Sequence, residues 1–254
     1  MKITILTLFP DQFDGFVNTS IIKRAIEKKL VEVEVINFRD YSDDRLKRVD
    51  EYPYGGGAGM IIKLQPILDC LKAIKTPDSV VYLLSASGDK YDQTYAHKLA
   101  TFKHLILICG HYEGIDARIE NYIDGKICIG DYILTGGELA SMVVADSVIR
   151  LIDGSINSQS TEDESFENGL LEYPQYTSPR VYDGHEVPDI LFSGNHKEIW
   201  NYRFKERIKE TLRYRKDLFD KYTFTKEERK LLENLDDDSK EKTAIYKAKK
   251  FTKK

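Results

Sequence analysis

The stretch CGHYEGIDARIENYIDGKICIGDYILTGGELASM, Cys109 to Met142, decides how the rest of this 254-residue chain is read. It holds two glycine-bearing turns, Gly110 to Gly114 and Gly130 to Gly137. Each follows a short apolar run: HLILIC (His104 to Cys109) before the first, KICI (Lys126 to Ile129) before the second. A short apolar run emptying into a glycine-rich loop is the pattern of a buried strand that delivers its loop to a ligand crevice. A third pair lies upstream, VVYLL (Val80 to Leu84) followed by SASG (Ser85 to Gly88). Three such strands side by side would bring three backbone loops to one edge of a sheet. There glycine lets main-chain groups come close to a ligand. The alternative is three ordinary tight turns. Three in succession, the last carrying Gly130, Gly136 and Gly137, favour the crevice.

Working outward, the N-terminal side continues the same organisation. Lys2 to Leu8 reads as a strand ending at Pro10, too short for the apolar core of a signal peptide. Thr19 or Ser20 can cap a helix from Ile21 to about Leu30, and Val31 to Asn37 alternates as a strand. Strand, helix, strand places the chain in the α/β class. Residues 39 to 60 form a long polar, glycine-rich loop, and a loop of that length inside a domain is more often functional than filler. It lacks the Gly-Lys-Ser/Thr of a phosphate-binding loop, and no dinucleotide fingerprint follows the first strand. Helices are expected over 65–73, 91–100, 115–122 and 138–151, the last largely apolar with Arg150 near its C-terminal end. Cys70, Cys109 and Cys128 have no pairing or metal spacing; two lie in apolar runs and read as buried thiols of a reducing compartment. No stretch reaches transmembrane length, so the expected location is the cytoplasm.

Downstream, residues 153–165 (DGSINSQSTEDES) lose almost all apolar content and read as a flexible interdomain linker. The expected domains are therefore 1–152 and 166–254. A helix begins after His196, with Trp200, Phe204, Ile208 and Leu212 four residues apart on one face. Arg203, Lys205, Arg207 and Lys209 surround that stripe, and Tyr202 and Tyr214 are interleaved with them. A solvated helix face explains basic residues alone; aromatic residues among them suit phosphate contact plus base stacking. A second helical segment is expected over 225–234. From residue 195 to 254 there are 19 Lys+Arg and 12 Asp+Glu, against 19 and 30 in the remainder, so a polyanion would be gripped by the C-terminal part.

Several of these motifs together resemble one family. CGHYEGID (109–116), IGDYILTGGEL (129–139), PYGGGAGM (53–60), SFENGLL (165–171) and LFSGNH (191–196) are similar to the bacterial TrmD family of tRNA (guanine-N1)-methyltransferases, which act at position 37, next to the anticodon. The resemblance runs in order from residue 1 to about 235. It implies the SPOUT class: an α/β N-terminal domain with a parallel sheet and a deep trefoil knot, a small mostly helical C-terminal domain, and a homodimer with shared active sites. It implies S-adenosyl-L-methionine bound in a bent shape, held by Leu84, by Gly110, Tyr112, Glu113 and Gly114, and by Ile129, Gly130, Asp131, Tyr132, Ile133, Leu134, Gly136 and Gly137. Arg150 matches the catalytic arginine. The family's general base is an aspartate immediately before Ser-Phe. Here that position is Glu164, preceded by Asp163, and the spacing from Arg150 is one residue shorter than expected. Register favours Glu164; a shifted loop would favour Asp163. His111, Gln175 and Ser178 also depart from the family pattern, and Arg180 offers a compensating RNA contact. The family depends on a divalent ion, Mg2+ being the candidate, but no cluster here has dedicated metal-ligand spacing. The rival readings are a SPOUT methyltransferase on another RNA site and a non-catalytic RNA-binding protein.

Overall fold

All six residues of the run His104–Cys109 are buried, because helices cover both faces of the sheet in which it is central. The computed structural model describes residues 1–156 and 164–233. The chain divides into two compact units, Met1–Ser158 and Gln159–Lys254.

The first unit runs β1 (Lys2–Thr7), a helix Ser20–Glu27, β2 (Glu32–Asn37), the short β3 (Asp50–Glu51) and β4 (Ile61–Ile62), and a helix Leu64–Ile74. It continues with β5 (Ser79–Lys90), a helix Gln93–Ala100, β6 (His104–Cys109), β7 (Gly125–Cys128) and a helix Glu138–Ile149. Five strands form one sheet in the order β2-β1-β6-β5-β7, every neighbouring pair parallel. Alternate residues face opposite sides. Ile3, Ile5, Leu105 and Leu107 pack with Val144 and Val148 on one side. Leu6, Ile106 and Ile108 pack with Ile67 and Leu71 on the other. Parallel pairing puts the C-terminal ends of β5, β6 and β7 on one edge, as the crevice reading requires.

Four expectations change in detail. The first helix stops at Glu27, not Leu30: Lys29 takes φ +59°, and Leu30 N–H reaches back to Ala25 O at 3.0 Å, a left-handed cap that ends the helix. The expected helix 115–122 is only a 3-10 turn, Ala117–Asn121. Ile115 is drawn into a bridge with Ile62 and Asp116 N–H donates to Ile62 O, so too few residues remain for an α-helix. Residues 39–60 are not one continuous loop, since Asp50–Glu51 pairs with Ile61–Ile62 as a hairpin. Ser85–Gly88 is a bulge inside β5 rather than a loop after it: Leu84 and Asp89 both face Ile127. A Cβ on Gly88 would lie 2.5 Å from Ile127 N, so the bulge passes against β7 only as glycine.

The second unit holds a small hairpin of β8 (Val181–Tyr182) and β9 (His185–Glu186), then helices His196–Tyr214, Lys216–Lys221 and Lys226–Glu233. Asn195 caps the first helix by accepting from Glu198 N–H. Thr225 and Glu228 cap the last reciprocally. Phe204 and Ile208 of the expected stripe are buried with Leu170, Phe219 and Leu232. Trp200 stands out of that core and stacks on Phe204, ring centroids 5.5 Å apart. Of the expected linker, residues 157–163 lie outside the described residues, and Asp163 with them.

Candidate functional site

The loops after β6 and β7 and the bulge of β5 close on each other at the sheet edge. Gly137 N–H donates to Gly110 O at 2.8 Å, and His111 and Gly136 form an isolated antiparallel bridge. A Cβ on Gly137 would sit 2.7 Å from Cys109 Cα; one on Gly136 would collide with Glu138 Oε2 and lie 2.5 Å from His111 Nδ1. Backbone packing between the two loops therefore requires Gly137, while Gly136 is crowded by the Glu138 and His111 side chains. The turn itself is tight: Tyr112 takes φ +58° and Gly114 φ +121°.

The glycine-rich hairpin of residues 53–60 joins this assembly. Glu113 N–H donates to Met60 O at 3.1 Å, and Ile62 N–H donates to Gly114 O at 2.9 Å. Gly59 takes φ +82°, and a Cβ there would collide with the Glu113 side chain. Two stretches that the sequence set apart are thus one structure.

Between the loops lies a cavity of about 290 Å³. Leu84 lines it from β5. Gly110, Tyr112, Glu113 and Gly114 line it from the β6 loop. Ile129, Gly130, Tyr132, Ile133, Leu134, Gly136 and Gly137 complete the wall. Asp131 is exposed and is not part of the lining. Ser85, Ala86 and Thr135, from the loops expected at the crevice, also line the cavity, as does Ala140 beyond them.

The sequence reading also missed a buried support. Glu138, 3 % exposed, opens the helix Glu138–Ile149. Its Oε1 accepts from Thr7 Oγ1 at 2.8 Å, while Thr7 Oγ1 accepts from Phe9 N–H at 2.9 Å. A carboxylate at a helix N-terminus is favoured by the helix dipole, and the Thr7 bond offsets part of its burial. Glu138 Oε2 is 3.9 Å from His111 Nδ1. A lone acidic residue at the head of an apolar helix, directly after two glycines, was the available signal.

Cys109 is not a nucleophile here: burial pushes its thiol far up. All three cysteines are free and buried. Arg150 is the C-cap of the helix Glu138–Ile149, its N–H donating to Asp146 O at 3.1 Å, and it is not part of the cavity lining. Glu164, half-exposed in the second unit, starts a turn in which Glu167 N–H donates to its carbonyl at 3.4 Å.

Among the expected RNA contacts, Arg203 lies over the Tyr173 ring and Arg180 over the Phe192 ring, each 4.7 Å from the centroid. Lys205 is half-buried, and Lys209 pairs with Glu206 at 2.9 Å. Arg207 departs from the helix-face reading: it is buried, and its Nε donates to Leu171 O at 3.1 Å. Among the described residues no three His, Cys, Asp or Glu side chains gather as a metal site. Nor is any described helix long and apolar enough to cross a membrane.

A parallel α/β sheet whose strand ends carry a glycine-walled cavity defines a small-molecule-binding α/β protein. The chain belongs to the tRNA (guanine-1)-methyltransferase TrmD family, whose model matches residues 1–221. A tRNA (guanine-N(1)-)-methyltransferase from Malacoplasma penetrans is 56% identical over 222 residues, covering 87% of this chain and 98% of the relative. Proteins of the same name from Dictyoglomus turgidum and Ureaplasma urealyticum are each 49% identical, over 236 and 227 residues. The first alignment covers 92% of this chain and 96% of the relative, the second 89% and 100%. A methyltransferase of this family implies S-adenosylmethionine as methyl donor and tRNA as substrate.

Proposed function

We propose that this chain transfers the methyl group of S-adenosyl-L-methionine to N1 of guanosine at position 37 of tRNA. The observation that carries the reading is the cavity walled by Gly110, Gly114, Gly130, Gly136 and Gly137 at the strand ends of a chain of this family. The cavity fits the methyl donor. Five glycines in its walls leave main-chain N–H and C=O groups uncovered by side chains and open to an adenine edge and a ribose, while Leu84, Ile129 and Leu134 offer apolar cover. When bound, the donor supplies an electrophilic methyl group on a good leaving group.

The chain's own residues supply the rest. The three loops orient the donor, and alignment of the reacting atoms removes much of the entropic barrier. Guanine N1 is protonated at neutral pH and is a poor nucleophile until that proton leaves. We assign its removal to Glu164, with Asp163 as the alternative; a positioned carboxylate contributes about 10²- to 10⁴-fold. Arg150 is assigned to guanine O6, where its guanidinium stabilises the charge that develops as N1 is deprotonated. Arg180, Arg203, Lys205 and Lys209 are assigned to tRNA contact. Arg207 is retained as a support of the helix that carries them.

Four further parts of the reading rest on the family. The loops 110–114 and 130–137, joined through Gly137 and Gly110, are proposed as part of a trefoil knot. A homodimer with shared active sites is supported by Leu139 and Val143, exposed four residues apart on the helix Glu138–Ile149. Mg2+ is proposed as an accessory ion held chiefly by substrate groups, as Mg2+ commonly is, and no step is routed through it. The site of action is the cytoplasm, where tRNA is modified.

The test is single-turnover methylation of a tRNA transcript carrying guanosine at position 37, with product analysis for N1-methylguanosine. A transcript with adenosine at that position should yield none. Methyl transfer to another nucleotide, or none by the wild type with its cofactor bound, would sink the reading.

A further inference from the structure

The second unit carries a cavity of its own, of about 380 Å³. We propose that it receives one unstacked base of the bound tRNA, as a subsite separate in chemistry from methyl transfer. The inference rests on the reading of the chain as a tRNA-modifying enzyme.

The walls are built for a flat, neutral ring. Two guanidinium groups lie over aromatic rings here, Arg203 over Tyr173 and Arg180 over Phe192, each 4.7 Å from the centroid. Tyr176 and Phe192 line the cavity and remain 47% and 53% exposed. Large aromatic side chains left this open lose the burial that would normally hold them in a core, which marks a binding surface. Ile199 adds an aliphatic wall. Single-stranded RNA is recognised in this way, by stacking on aromatic rings and guanidinium planes, with polar groups reading the base edges. Gln175, Thr177 and Ser178 supply such polar groups at the same wall. The volume falls near the lower end of small-ligand sites, about 300–1,000 Å³, and suits one nucleoside rather than a longer segment.

The charge pattern argues for a base and against a phosphate. Arg180 is held by two carboxylates, at 3.0 Å to Glu186 and in closer contact with Asp189. Two carboxylates already share the Arg180 guanidinium, which leaves it less free to grip a phosphate, whereas an uncharged ring stacks without drawing on that charge. Arg203, over the Tyr173 ring at the same wall, carries guanidinium N–H groups of the kind that donate to base oxygens or ring nitrogens.

The test uses the full chain and tRNA transcripts with 2-aminopurine at single unpaired positions. Ile199→Trp fills the cavity, Phe192→Ala removes a stacking face, and Phe192→Trp preserves one. One labelled position should change fluorescence on binding wild type, and the change should vanish with Ile199→Trp. Ile199→Trp and Phe192→Ala should each raise the tRNA Kd and KM about 5- to 150-fold, the range of one base–aromatic stack. Donor affinity and kcat at saturating tRNA should hold, and Phe192→Trp should keep wild-type affinity. Wild-type tRNA affinity in a folded Ile199→Trp protein, or no responsive position, overturns the subsite. If the wild type neither binds nor methylates tRNA, the functional reading itself has failed, a different outcome from methylation that proceeds normally with the cavity filled.

Discussion

Gly137 stands against Gly110 with its N–H on the Gly110 carbonyl at 2.8 Å, and no room is left at its α-carbon for a side chain. The atom that a Cβ would meet first, Cys109 Cα at 2.7 Å, is backbone at the end of a central strand and cannot move aside. Gly137→Ala should therefore separate the two cofactor loops. The expected cost is about 1–3 kcal/mol of stability from overpacking, with donor affinity reduced at least about tenfold through the lost geometry. Calorimetric titration of S-adenosylmethionine and thermal unfolding check both. Gly15→Ala, with nothing within 4 Å of its Cβ, is the control and should change neither by more than a few tenths of a kcal/mol.

What the chain reveals before folding is uneven, and the reasons are physical. The strands were legible because helices on both faces demand continuous apolar runs such as HLILIC. Among the glycines of the cavity, Gly137 is fixed by close backbone approach and Gly114 by its φ of +121°, two demands that leave glycine in the sequence. Contacts between distant segments were not. Nothing in local pattern says that Met60 and Glu113 share a hydrogen bond, or that Thr7 meets Glu138 across 131 residues. The helix expected over 115–122 failed for the same reason, since Ile115 is claimed by Ile62 from another loop. Arg207 misled because a basic residue at helical spacing looks the same whether its guanidinium meets water or, as here, Leu171 O. The roles of Arg150 and Glu164 came from the family resemblance, not from periodicity.

Those two roles predict separable kinetics. Glu164→Gln should lower the single-turnover rate about 10²- to 10⁴-fold if Glu164 is the base. Arg150→Ala should lower it about 10²- to 10³-fold, the usual loss for one donor to a developing oxyanion. Neither changes the wall of the donor cavity, so donor Kd should stay within twofold. Asp163→Asn should stay close to wild type. A collapse with Asp163→Asn and not with Glu164→Gln would move the base by one residue.

Arg207 and Lys205 sit two residues apart on one helix and should fail in different ways. Arg207→Ala removes a buried guanidinium bonded to Leu171 O and should cost about 1.5–3 kcal/mol of stability, the range for a charged hydrogen bond. Lys205→Ala should leave stability unchanged within about 0.5 kcal/mol. It should instead reduce the slope of log K against log salt for tRNA binding by about one. Urea unfolding and salt titrations of tRNA affinity separate the two. A salt slope lowered by Arg207→Ala at full stability would return Arg207 to the RNA surface.

His104 predicts a pH dependence in the fold itself. It is 5% exposed, and its ring nitrogens meet Thr4 Oγ1 at 2.9 Å and Ser79 Oγ at 2.7 Å. Burial first, and the Lys2 charge second, hold its pKa below the ordinary 6.5. The folded state therefore binds the proton less well than the unfolded state does. Above pH 6.5 the ring is neutral in both states and its contribution is complete. As pH falls below 6.5 the unfolded chain takes up a proton that the folded chain refuses, and stability drops until the folded pKa is passed. The slope from this group is at most about 1.4 kcal/mol per pH unit. Denaturant midpoints at pH 7.5, 6.5 and 5.5 should fall in that order for wild type. His104→Gln, which titrates nowhere in this window, should lower the midpoint at pH 7.5 but flatten the decline below 6.5. Parallel declines in the two proteins would assign the acid sensitivity to another group.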